Sequence, residues 1–400
     1  MRSGSMLKSS AIYRIRSVKM FISSNKTSKI RVAILNDTNT NTPGHYGCSL
    51  VMKNLVDKLN EHNMQAVFFW PVGKDWRNYK KQFTTNIDCD ALIVNGEGSI
   101  HHCRKNNREY LVEIASFSKN VLQIPCYLIN STLYSNSPEI YREIKQFDKC
   151  FVRESYSYSE LSKFNIPSVI VPDLTFAAMT HSNGKKKNFK KVLVTDSTNN
   201  SMRKKLKSIS NKYSWNFISM KEKEKLSFHS NLFRSLAKKF AAHNLNRLKK
   251  IAFMPVKMEE RLKHVYNESR LFSKKSYDKI VDHEKFIHEI INHQFVITGR
   301  FHTVTLCIKT KTPFLAIESN TPKISALLND VFGNKKRLIS MEQLEAFQGF
   351  IPENFTSFSK NELDSMNSYN DQAQDKIDFM FREIYNDISL KKIIREWSEA

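Results

Sequence analysis

Apolar and polar positions recur along the chain with two periods, and the switching between them sets the expected elements. Short apolar runs bounded by turn residues read as strands: Arg31–Leu35, Gln65–Trp70, Ala91–Val94, Val121–Ile129, Phe151-Val152 and Val169–Val171. Between them lie stretches with helical spacing. Gly47–Asn60 is apolar at 50, 51, 55, 56 and 59, and Ser137–Phe147 and Tyr158–Lys163 behave alike. The alternation resumes with Val192–Thr195, helix Met202–Asn211, Trp215–Ile218, helix Phe233–Phe240, Ile251–Val256 and helix Met258–Val265. It ends on Phe295–Ile297, helix Phe301–Lys309, Phe314–Ile317 and helix Lys323–Val331. Apolar strands joined by crossover helices belong to parallel sheets covered on both faces, so the expected class is α/β, doubly wound.

One stretch interrupts the pattern. Asn183–Lys191, Asn-Gly-Lys-Lys-Lys-Asn-Phe-Lys-Lys, has the composition of a linker. It divides the expected organisation into a basic, Ser-rich leader (1–29), an N-terminal unit (30–182), a C-terminal unit (192–345) and a helical tail (346–400). The tail shows two helical patterns, Asn361–Tyr369 and Ala373–Trp397, expected to cross back to the first unit.

Charge changes the picture more than size does. Lys and Arg number 63 against 39 Asp and Glu, a formal charge of +24. Anionic partners follow from that: nucleic acid, an anionic membrane surface, or phosphorylated or acidic substrates. A compositional bias toward lysine accounts for the same number. No nucleic-acid motif or basic–aromatic stacking platform is visible, so specific nucleic-acid binding is not expected. The basic, Phe-bearing stretch 221–249 reads as a solvated amphipathic helix or as an acceptor or membrane surface. No apolar run approaches the roughly 18 residues that span a bilayer, and the basic N-terminal segment lacks the apolar centre of a signal peptide. A cytoplasmic location is expected, with contact to the inner face of a membrane left open. The six cysteines, at 48, 89, 103, 126, 150 and 307, form no Cys-x-x-Cys pair. His101-His102 are adjacent and would diverge on a helix, so no metal site is expected.

The candidate chemistry gathers where strands end. Thr298-Gly299 closes one strand and Phe301 opens a helix, which places Arg300 and His302 at the strand–helix junction. Ligands of open α/β sheets bind at the carboxyl ends of strands, and a helix start favours anions. A guanidinium grips a carboxylate or phosphate through paired hydrogen bonds, and histidine is the side chain best suited to proton transfer near neutral pH. Equally, Arg300 can pair with an acid and His302 cap the helix. The turn Gly96-Glu97-Gly98-Ser99 exposes backbone amides able to cradle an oxyanion, with Glu97 a second acid/base candidate.

Four stretches in order carry a resemblance: Ala91–Ser99, Val152-Arg153-Glu154-Ser155, Pro172-Asp173-Leu174-Thr175-Phe176, and Thr298-Gly299-Arg300-Phe301-His302 followed by Pro313 and Lys323-Ile324. Over roughly residues 30–335 the chain resembles the polysaccharide pyruvyl transferase family. The resemblance implies two Rossmann-like domains facing a cleft, as in glycosyltransferase B folds, with the C-terminal unit holding the donor. It implies transfer of a pyruvyl group from phosphoenolpyruvate onto a sugar or lipid-linked saccharide, with no cofactor. It further implies catalytic roles for His302 and Arg300, and substrate contacts from Arg153, Gly96, Glu97, Gly98, Ser99, Thr303, Asn320 and Lys323. The chain departs from the family at Gly44-His45-Tyr46-Gly47-Cys48, where an Asn-x-Gly-Asp form is common, so acceptor contacts do not carry over. Two other readings remain at this point: a glycosyltransferase with a nucleotide-sugar donor on the same scaffold, and a non-catalytic polyanion binder.

Overall fold

The computed structural model describes residues 28–40, 44–177, 190–221 and 282–399. Two parallel sheets organise them. The first holds β1 (Ile30–Asp37), β2 (Met64–Pro71), β3 (Ala91–Glu97), β4 (Cys126–Ser131), β5 (Lys149–Val152) and β6 (Val169–Ile170), in the order β2-β1-β3-β4-β5-β6. The second holds β7 (Lys190–Ser197), β8 (Asn216–Ile218), β9 (His293–Gly299) and β10 (Phe314–Ala316), in the order β10-β9-β7-β8. Every pairing within them is parallel. The doubly wound α/β architecture expected from the alternating runs is therefore present on both sides of the Lys-rich break. Residues 183–189 of that break, the leader up to residue 27, and the segments Phe233–Phe240, Ile251–Val256 and Met258–Val265 lie outside the described residues.

The strands are buried on both faces, which is why they are apolar without alternation. In β3, Ala91 and Ile93 face one core while Leu92 and Val94 face another. The first of these cores is shared. It collects Val32, Ile34 and Ile129 from the first sheet, the helix Tyr46–Glu61, the helices Phe301–Thr310 and Lys323–Phe332, and Val296 and Phe314 from the second sheet. Two further cores cover the outer faces of the two sheets.

Two expectations are corrected. The run Val121–Ile129 is not one strand. Residues 118–122 close the helix Tyr110–Phe117 with a wider turn, the chain reverses at Gln123, and β4 begins only at Cys126. An apolar run alone does not separate a helix end from a strand, and Val121 proves 52% exposed. The two tail patterns, Asn361–Tyr369 and Ala373–Trp397, are likewise one helix, Lys360–Glu399, of 40 residues. Nothing between Tyr369 and Ala373 breaks it, since Asn-Asp-Gln brings neither Gly nor Pro.

That helix does cross back to the first sheet. Ile377, Phe381 and Ile384 are fully buried in the shared core. Its polar flank is pinned by Lys58–Asp378 (2.9 Å), Lys149–Glu383 (2.7 Å) and the Tyr127 hydroxyl, which donates to Asp387 at 2.7 Å. Its start is fixed by Arg337, 2% exposed, which pairs with Glu362 at 2.6 Å. The same guanidinium donates to the carbonyls of Phe314, Phe355 and Ser357 and lies 4.1 Å over the Phe358 ring. Among the described residues no helix is long and apolar enough to cross a membrane.

Removing Arg337 leaves three carbonyls and a carboxylate without their donor in a dry setting. Arg337→Met is expected to cost about 3–5 kcal/mol in chemical denaturation. Lys391→Ala, at a partly exposed pair on the same helix, is expected to stay within about 1 kcal/mol. Equal losses at the two positions would refute this placement of the helix anchor.

Candidate active site

The carboxyl ends of the two sheets meet at Asp173. Its Oδ1 accepts from the amide of Thr175 at 3.0 Å and from the Thr175 hydroxyl at 2.7 Å, fixing the turn Leu174–Phe176 that follows β6. Its Oδ2 accepts from Arg153 Nη1 at 2.7 Å and stands 3.7 Å from His302 Nε2. Arg153 follows β5 directly, donates through Nε to Thr132 at 2.8 Å, and stacks 4.1 Å over Phe301. His302 comes from the other sheet, in the first turn of the helix after β9. Burial of Asp173 pushes its carboxyl up, but the charges of His302 and Arg153 and the Thr175 amide outweigh that and hold it well below the usual range. The Thr175 hydroxyl continues across to Thr305 at 2.8 Å, and Lys309 donates to the Thr175 carbonyl at 2.9 Å.

A second cation joins this group. Lys323, at the start of its helix and 6% exposed, donates to Asn320 Oδ1 at 3.2 Å. The amide nitrogen of Asn320 meets His101 Nε2 at 3.2 Å, so the contact spans both sheets. Burial, then Arg153 and Arg300, lower Lys323 to about 7. Gly98 lies against both cations: a Cβ there would be 3.5 Å from Lys323 Nζ and 3.7 Å from Arg153 Nη2. Two cations converging on a side-chain-free patch of backbone are relieved by an anion seated between them.

Of the residues singled out in the sequence, Arg153, Gly98, His302, Asn320 and Lys323 are brought together. Four others are placed differently from the expectation. Arg300 is no free cation: Nε and Nη2 grip Asp196 at 2.7 and 3.0 Å, and the pair is buried. It fixes the β9–helix junction against β7 and adds positive potential without presenting that edge to a ligand. Thr303 is fully buried, with its hydroxyl against Met220 at 3.3 Å. Gly96 and Glu97 belong to β3, not to an open turn, and the Ser99 amide donates back to the Gly96 carbonyl at 2.9 Å. The Ser99 amide is therefore taken up inside the turn. Glu97 is buried at φ 39°, accepting from Asn95 at 3.0 Å, from Cys48 at 3.2 Å and from Thr38. His101 and His102 precede the short helical turn from Cys103 instead of riding on a helix, and only His101 reaches Asn320.

The sequence reading left Asp173, Thr132 and Asp196 without roles. Each follows or ends an apolar run, so their shared place at carboxyl ends of strands was the available signal. His45 and Cys48 carried no spacing signal, because their neighbour His302 lies over 250 residues away. Asp37, at the end of β1, is raised to about 7 by burial and by Glu97, against the pull of the Asn39 amide.

The model of the family described as polysaccharide pyruvyl transferase matches residues 45–321, well over half of the chain. The chain belongs to that family. The matched span contains Arg153, Asp173 and His302 and stops two residues before Lys323. No curated protein matches the chain. Among solved structures it is similar to a functionally uncharacterised protein from Klebsiella pneumoniae, at 12% identity and a TM-score of 0.42, covering 82% of this chain and 97% of that one. It is also similar to a UDP-GlcNAc 2-epimerase from Methanocaldococcus jannaschii, at 11% identity, TM-score 0.46, covering 85% and 99%. A UDP-GlcNAc 2-epimerase from Neisseria meningitidis gives 11%, 0.44, 90% and 99%. Likeness of that depth does not extend to ligands.

Asp173 gives the site a pH signature. Its folded pKa is depressed, so its stabilisation is present above the ordinary value of 3.8 and is lost as pH falls through the lower folded value. Asp173→Asn should cost about 3–5 kcal/mol at neutral pH, by leaving Arg153 unpaired. Its deficit relative to the parent should shrink in unfolding experiments on the acid side. A deficit independent of pH would contradict an ionised Asp173 at this junction.

Proposed function

We propose that the cleft transfers a pyruvyl unit from phosphoenolpyruvate onto two hydroxyls of a sugar, in a polysaccharide or its lipid-linked precursor, to form a cyclic ketal. The observation that carries this reading is the convergence of Arg153 and Lys323 beside Gly98, next to the His302–Asp173 pair. Two cations suit a donor that bears both a phosphate and a carboxylate. The Asp173 carboxylate stands 3.7 Å from the imidazole Nε2 and sets a negative potential beside it.

In this mechanism His302 gives a proton to the methylene carbon of the donor while a sugar hydroxyl bonds to the adjacent carbon. The imidazole recovers a proton from that hydroxyl. The second hydroxyl then forms its bond to the same carbon, the carbon–oxygen bond to phosphate breaks, and phosphate leaves with the remaining proton. Arg153 and Lys323 stabilise the charge gathered on the departing phosphate. Arg300 acts indirectly, by holding the helix that presents His302 through its grip on Asp196. No cofactor enters this scheme. Phosphoenolpyruvate is a metabolite of the cell interior, which places the reaction there, and the charge of +24 favours acceptors carried on an anionic surface.

Thermal shift separates the donors: phosphoenolpyruvate should stabilise the protein and nucleotide sugars should not. The reverse pattern would favour glycosyl transfer. Mass spectrometry of candidate glycans should then find the added ketal. His302→Gln is expected to lower turnover by about 10²- to 10⁴-fold with donor affinity less affected.

Lys323 adds a pH test. With a folded value of about 7, it is mostly neutral in the free protein at alkaline pH, and an anion pulls the value back up. Donor binding should therefore take up a proton above pH 7, and affinity should fall by up to about tenfold per pH unit there. Calorimetry in buffers of different ionisation enthalpy reads the uptake. Lys323→Met should abolish it, and uptake unchanged in that variant would remove Lys323 from the donor site.

A further inference from the structure

Next to the two cations the fold assembles a different set of groups. His45 caps the helix Tyr46–Glu61, its Nδ1 accepting from the Cys48 amide at 3.3 Å. Cys48 lies in the first turn of that helix, and its thiol donates to Glu97 Oε2 at 3.2 Å. His302 reaches both from the second sheet. One ligand atom each from His45, Cys48 and His302 all lie within 4.8 Å of one another. The imidazoles of His45 and His302 stand edge to face at 5.9 Å. His302 Nε2 is buried without a hydrogen-bond partner, on a residue 8% exposed. Gly47 makes the approach possible, since a Cβ there would stand 2.4 Å from His302 Nδ1.

Two imidazoles and a thiol form a borderline-soft donor set, the kind that selects zinc over magnesium or calcium. We infer that His45, Cys48 and His302 bind one divalent cation of the zinc class, with the fourth coordination position open toward the cleft. Bond lengths of about 2.0–2.3 Å place ligand atoms about 3.3–3.6 Å apart, so rotations about side-chain bonds that draw the three in by about an ångström close the site. Binding forms a sulfur–metal bond and releases the thiol proton to solvent, with no change of oxidation state. The neighbouring charges permit a dication. Arg153 is matched by Asp173 and Arg300 by Asp196, and the charges of Lys221 and Lys323, which also bear on His45, are opposed by the new thiolate and the Glu97 carboxylate. Binding stands on this geometry alone. Its consequence for turnover, that a bound ion withdraws His302 from proton transfer, rests on the donor-site reading above.

Cobalt(II), which reports its own ligands, is the probe. The full chain, stripped of metal with a chelator, is titrated with Co²⁺, and Zn²⁺ is then added to displace it. One Co²⁺ per chain is expected, with tetrahedral visible bands and a thiolate-to-metal charge-transfer band in the near ultraviolet. Cys48→Ser should abolish the charge-transfer band. His45→Asn, which keeps a capping oxygen, should weaken binding by more than the roughly 10- to 100-fold that loss of an outer partner costs. Melting curves of the metal-free variants separate a lost ligand from a lost fold. In the parent, Zn²⁺ should also protect Cys48 from alkylation, read by peptide mass spectrometry, which needs no variant. Absence of a charge-transfer band in the folded parent, its persistence in Cys48→Ser, or alkylation of Cys48 unaffected by Zn²⁺ overturns the site. Metal bound with turnover unaltered would leave the site standing and remove His302 from catalysis. Normal ketal transfer with no cobalt band would do the opposite.

Discussion

Asp173 is the constraint on which the rest of this molecule depends. A carboxylate with no exposure is costly unless it is paired and hydrogen-bonded: Arg153 after β5 and Thr175 in its own turn donate to it, and His302 stands 3.7 Å away on the far sheet. The two sheets are thus tied together by one buried charge at the point where their carboxyl ends face each other. Moving either sheet away would strand Asp173 or Arg153 in a dry interior. The geometry of the pocket is therefore fixed by electrostatics that are themselves structural, and chemistry and cohesion share the same atoms.

Both sheets use the same local device to bring polar groups close. At the end of β3, Gly96 faces Ser131 of β4, and an added Cβ would meet that serine's Oγ at 2.4 Å. At the end of β9, Gly299 faces Ser197 of β7, and a Cβ would meet its Cβ at 2.7 Å. In each sheet the neighbouring strands close up where they leave the core, and the next residues along are the polar ones of the cleft. Strand ends rich in Asn, Asp, Ser and Thr are buried here, against the ordinary preference of those side chains; some are paired, as Asn36 is with the Asn95 carbonyl and Asp196 with Arg300, while Ser131 Oγ and Asp37 Oδ2 have no hydrogen-bond partner among the described residues.

What was legible in the sequence follows from this. Strand–helix alternation was readable because parallel strands buried on both faces are apolar throughout, as Ala91–Val94 is. Arg153, His302 and Lys323 could be singled out because each sits at an element boundary beside such a run. Partnership was not readable. Arg300 and Asp196 are 104 positions apart, and only the pairing of β7 with β9 makes them neighbours. Glu97 looked like a turn residue because Gly stands on both sides of it, yet hydrogen bonds from Thr38, Asn95 and Cys48 hold it in an unusual backbone conformation at the end of a strand. The merged tail helix escaped for the opposite reason: its apolar stripe weakens around Tyr369–Ala373 although the backbone continues without a break.

That helix also has a bearing on how the chain is made. Tyr127 on β4 meets Asp387 and Lys391 of that helix, about 260 positions further along. At synthesis rates of about 5–20 residues per second, that distance is on the order of tens of seconds. Within that interval the last two strands of the first sheet are added, and the face that the helix Tyr46–Glu61 covers in part still lacks the C-terminal helix. The sheet's open apolar flank becomes a surface for chaperones, or for premature contact with another chain, until the helix arrives. The N-terminal half of this protein is the first to be synthesised and among the last to be finished.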